Sequence, residues 1–128
     1  MGMSERFADR LEPMTYQGDE PWIVALVGAG RSVDWVDSVP DQDEAVPERI
    51  FQRILALATA YELHHLSTLE LCRQNRLSSQ QAAGLAEELE FLLQQVNDQA
   101  LHVFAEPLHR LAVRCSRDQG LELLVEAP

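Results

Sequence analysis

The apolar run Leu121-Glu122-Leu123-Leu124-Val125-Glu126 follows a stretch, from Pro47 to Gly120, whose apolar spacing is helical. A strand presents backbone N–H and C=O groups along both edges, and those groups need partners. The only earlier strand material lies at residues 22–39, so the C-terminal run has to return and pair there. A chain that joins its two ends in one sheet with helices between them is an α+β domain. The expected architecture is a small N-terminal hairpin plus a C-terminal strand forming a sheet, with three to four helices packed on one face.

Trp22-Ile23-Val24-Ala25-Leu26-Val27, rich in β-branched residues and set between Pro21 and Gly28, suits a strand buried on both faces. Gly28-Ala29-Gly30-Arg31 supplies a turn, and the partial alternation of residues 32–39 predicts a second strand hairpinned to the first. Pro40 to Pro47 reads as an acidic loop. Residues 1–19 show no clear period, which predicts a loose N-terminal segment ahead of a single domain over 20–128.

From Pro47 the period becomes 3.6. Ile50, Phe51, Ile54, Leu55, Ala58, Tyr61 and His65 fall on one arc and predict an amphipathic helix over 47–65, followed by a short helix over 68–76. Ser78 and Gln81 have the spacing of a capping box, and the helix they open is expected to bury Ala82, Leu85, Ala86, Leu89, Leu92, Leu93 and Val96. Gly84 inside it costs about 1 kcal/mol relative to Ala, which points to a close approach by another element near Ala82 and Ala86. Asn97-Asp98 offers a cap for a last helix whose stripe includes Leu101, Phe104, Leu108, Leu111 and Cys115; Pro107 should bend or divide it, and Gly120 should end it.

Charge narrows the function classes. The 128 residues carry 10 basic side chains, all Arg, against 21 acidic ones, for a net charge of −11. Nucleic-acid affinity rests on cations that neutralise phosphates, so direct DNA or RNA binding is disfavoured. The absence of Lys excludes a P-loop lysine and Schiff-base chemistry. Residues 66–93 have the rhythm of a helix-turn-helix, but the second helix carries three glutamates and no basic residue, a poor match to phosphate. No apolar run approaches the roughly 18 residues of a membrane span, and Met1 to Arg6 lacks the apolar core of a signal peptide. Cys72 and Cys115 read as free buried thiols, which suits a reducing compartment, and the expected location is cytoplasmic.

Motifs with chemical meaning are few. Gly28-Ala29-Gly30 after a strand lacks the third glycine and the helix of a dinucleotide site. Asp41, Asp43 and Glu44 start like a calcium loop, but neither the central glycine nor the closing glutamate follows. Glu62/His65 and Glu106/His109 are two Glu-x-x-His pairs, the half-set of a di-metal bundle site. Projected on helices, the first pair lies on or beside the apolar arc and the second points away from it, so the two do not share a core. The expectation is therefore no metal and no cofactor.

These readings favour a non-enzymatic, acidic protein-binding module of the inhibitor, immunity or adaptor kind. Residues 1–48 hold 11 acids against 3 Arg, and Asp34, Asp37, Asp41, Asp43 and Glu44 form a compact cluster for a basic partner. Phe91, opposite the apolar stripe of its helix, with Val113 off the stripe of the next, supplies a helical contact face for that partner or for a second copy in a homodimer. The alternative is a small enzyme, or a ligand- or metal-binding protein, with a polar pocket around Glu62, His64 and His65.

Overall fold

The computed structural model describes residues 12–30, 43–71 and 73–128. A 3-10 turn, Pro13–Tyr16, leads into strand β1 (Pro21–Gly28). Strand β2 (Asp43–Pro47) runs directly into helix α1 (Glu48–Ala60). A short helix α2 (His64–Ser67) and a 3-10 turn (Thr68–Leu71) precede strand β3 (Gln74–Leu77). Helices α3 (Ser79–Gln95) and α4 (Gln99–Ser116) form a pair, and strand β4 (Leu121–Glu126) completes the sheet.

The sheet order is β2-β1-β4-β3, antiparallel throughout. The C-terminal strand does return to the N-terminal one, with Val24 opposite Val125 and Leu26 opposite Leu123. Alternation puts Trp22, Val24, Leu26, Val46, Leu123 and Val125 on the face covered by the helices, where they join one apolar core. Trp22 stacks on Phe51 of α1 with centroids 4.1 Å apart, and its indole N–H is buried without a hydrogen-bond partner. Ala25, Val27 and Leu124 face the other way and are buried as well. On that second face the Arg76 guanidinium meets the Glu122 carboxylate at 3.0 Å and also donates to Gly28 O. Glu122 takes a further bond from Gly30 N, and these two sets of donors hold its carboxyl below the usual range.

Three local expectations need correcting. Residues 43–47, expected as loop, form a strand paired with β1, while the second strand expected over 32–39 lies outside the described residues. Residues 43–47 had read as loop because of Asp43, Glu44 and Pro47, yet at the outermost described strand acids and proline are tolerated. Helix α1 stops at Ala60 rather than at 65. The stop is a Schellman motif: Leu63 N donates to Ala58 O, Glu62 N to Thr59 O, and Glu62 sits at φ 59° in the left-handed region. The helix expected over 68–76 is a turn of 3-10 helix and then β3, because pairing with β4 outweighs the local pattern of four residues.

The expected starts of the two long helices are met. Ser78 and Gln81 form the reciprocal capping box, and the Asp98 carboxylate accepts Leu101 N at the start of α4. Pro107 lies inside α4 without dividing it. What comes close to Gly84 is the His65 imidazole of α2, which a Cβ at that position would strike.

Candidate functional site

The segment from Pro13 to Asp19 is held against the domain by two arginines of α1. Tyr16 is buried, with the guanidinium carbons of Arg49 and Arg53 at 4.8 and 5.4 Å from its ring centroid. Arg53 donates to the Tyr16 hydroxyl and to the carboxylate of Asp98, the residue that caps α4. Asp19 accepts both the Arg49 backbone N–H, an otherwise unpaired group of the first turn of α1, and the Arg49 guanidinium. The guanidinium hydrogen bonds hold the Asp19 carboxyl below its ordinary range. One network thus joins the 3-10 turn, α1 and α4.

Between this anchored segment, β2 and α4 lies an open hollow of about 470 Å³, walled by Pro13, Met14, Tyr16, Ala45, Pro47 and Phe104. Its walls are mainly apolar: Met14 is 76% exposed and Phe104 is half-buried. Its surroundings are acidic. Glu12, Glu20, Glu44 and Glu48 are chain neighbours of wall residues, Asp43 is one residue further, and the side chains of all five lack an ion pair or hydrogen bond. The nearby base Arg49 is committed to Asp19. An apolar trough walled by segments that also carry unpaired carboxylates has the chemistry to hold an extended segment with both apolar and cationic side chains.

The residues singled out from sequence fall in three places. Asp34, Asp37 and Asp41 lie outside the described residues. Asp43 and Glu44 lie on β2, where alternation turns Glu44 to the helical face and Asp43 to the other, so the two acids straddle the strand beside the hollow. Phe91 is 36% exposed and meets the exposed Tyr61 edge-on, centroids 5.2 Å apart; Tyr61 had been placed on the buried arc of α1, which ends before it. Val113 is half-buried and packs against the core.

Glu62, His64 and His65 are all exposed. Glu62 forms the left-handed turn after α1, and none of the three lines the hollow at β2. The His65 and Leu66 backbone N–H groups donate to the Glu88 carboxylate, so Glu88 of α3 caps α2 from a distance. Of the second Glu-x-x-His pair, Glu106 is exposed and His109 half-buried, and among the described residues no three His, Cys, Asp or Glu side chains gather as a metal site.

Cys115 is a free, buried thiol whose pKa is pushed up to about 11, first by burial and then by the charges of Glu122 and Asp118. Cys72 lies outside the described residues. The hollow within the core, between Val24, Phe51, Leu85 and Leu123, is about 10 Å³, room for one water-sized sphere and no ligand. No described helix is long and apolar enough to cross a membrane.

Met14, Ala45 and Phe104 escaped the sequence reading for separate reasons. Met14 stands in a stretch without period, Ala45 had been read as loop, and Phe104 lies on an apolar stripe that gives no sign of where the core ends. No protein-family model, curated protein or solved structure matches this chain.

Proposed function

We propose that the chain is a protein-binding module that takes a basic, apolar segment of a partner along the hollow beside β2. The observation that carries this reading is an open apolar trough of about 470 Å³ whose walling segments also carry five unpaired acids close by in sequence. Carboxylates on a rim raise the rate of encounter with a cationic partner, while burial of Met14 and Phe104 supplies the affinity that persists after contact. At physiological ionic strength the Debye length is roughly 8 Å, so the acids act at close range.

The test uses a fluorescein-labelled synthetic peptide of alternating Arg and Leu, which presents one charged and one apolar face when extended. It should bind the wild-type chain. The variant Met14→Asp/Phe104→Ala should weaken binding at least tenfold. Asp43→Asn/Glu44→Gln/Glu48→Gln should instead slow association and flatten its salt dependence. Equal affinities for the wild type and the Met14/Phe104 variant would refute the hollow as the binding site.

A further inference from the structure

A second surface, of opposite sign, lies on the C-terminal half of α4. Of the described arginines, Arg49, Arg53 and Arg76 each hold a carboxylate: Asp19, Asp98 and Glu122 respectively. Arg73 makes no ion pair, and neither do Arg110, Arg114 and Arg117; these last three also make no side-chain hydrogen bond. Their spacing of four and then three residues sets them on one stripe of the helix, and with His109 and Val113 they line a hollow of about 370 Å³. Three uncompensated guanidiniums side by side repel one another in a chain of net charge −11 that has acids to spare.

The helix dipole accounts for Arg114, in the last turn, and Arg117, at the C-cap, but not for Arg110 or for the grouping of all three. It favours cations within the last turn, whereas Arg110 lies more than a turn upstream of Ser116. The terminal carbonyls are also taken by other donors: Val113 O by the Ser116 hydroxyl, Arg114 O by Arg117 N, and Cys115 O by Asp118 N. The acids nearby in sequence leave the arginines free as well. The Asp118 carboxylate accepts Gly120 N, and Glu106, one turn before Arg110, makes no ion pair with it.

We propose that this stripe is the docking surface for an acidic segment of a partner protein, distinct from the hollow at β2. Arg110 to Arg117 spans about 10 Å along the helix axis, the reach of three carboxylates on one face of a partner helix. Each guanidinium offers a planar fork that matches one carboxylate. Val113 gives the same segment an apolar contact, which a bare polyanion would not use. The overall charge of −11 opposes the long phosphate tracking that a nucleic acid requires.

The experiment measures binding of a fluorescein-labelled peptide built from repeats of Glu-Glu-Leu to the full chain at low and moderate salt, with tripolyphosphate and oligo-dT as competitors. The peptide should bind the wild type, and Arg110→Ala/Arg114→Ala/Arg117→Ala should weaken it at least tenfold while leaving the urea midpoint of unfolding in place. Lys at the three positions should restore part of the affinity, and Met14→Asp, in the other hollow, should leave it unchanged. Unaltered affinity in the triple Ala variant would overturn the proposal. So would tighter binding of tripolyphosphate or oligo-dT than of the peptide, which would reassign the stripe to phosphate.

Discussion

Glu62 shows how one residue can be read as chemistry and serve as geometry. Its spacing from His65 suggested a ligand pair on one helix face, but the helix ends at Ala60 and Glu62 supplies the left-handed residue of the terminating turn. A side chain at φ 59° crowds its own backbone, and glycine does not. Glu62→Gly should therefore raise stability by about 0.5–1 kcal/mol, read as a higher urea midpoint at unchanged slope. A lower midpoint would mean that the exposed carboxylate has a task beyond the turn. His65 presents the same lesson from the other side. The glycine at position 84 signalled a close neighbour, and an imidazole from the preceding short helix occupies that place.

At the level of elements, what could be read from sequence was whatever local physics decides. The start of α3 was legible because Ser78 and Gln81 satisfy each other's backbone N–H groups without outside help, and the start of α4 because the Asp98 carboxylate caps its own helix. β3 was not legible. Gln74, Asn75, Arg76 and Leu77 have no strand pattern of their own and are held extended by β4, which is distant in sequence. The hollow at β2 was invisible for a related reason, since its walls come from a turn, a strand and a helix that only the tertiary fold assembles. Pro107, expected to bend or divide its helix, lies inside an undivided α4. It removes one helical donor and leaves the Val103 carbonyl without its usual partner, on a turn where Val103 is 46% exposed and water can serve. Pro107→Ala should restore that bond and stabilise the protein by about 1–3 kcal/mol, measurable as an increase in thermal midpoint. No gain would show that packing around the half-buried ring offsets the missing hydrogen bond.

For the molecule as a whole, the decisive feature is that the last strand lies in the middle of the sheet. β4 has β1 on one side and β3 on the other, so it closes the sheet rather than extending it. Leu123, Leu124 and Val125 are 0–1% exposed, and two of them join the helix-side core while Leu124 covers the opposite face. At about 1.5–3 kcal/mol for each buried aliphatic side chain, removing them forfeits roughly 5–9 kcal/mol, before counting the ladder hydrogen bonds to both neighbours. The net stability of a domain is about 5–15 kcal/mol, so the loss is comparable with the whole. A chain ending at Gly120 should fail to fold, leave β3 without a partner, and lose the cooperative urea transition followed by far-UV circular dichroism. A chain ending at Glu126 is the matched control. It gives up the bond from Ala127 N to Arg73 O and the contact of Ala127 with the core, a cost of about 0.5–1.5 kcal/mol for the bond, and should unfold cooperatively at a slightly lower midpoint. If the shorter chain kept the transition, the two ends of the molecule would not depend on each other as the sheet order requires.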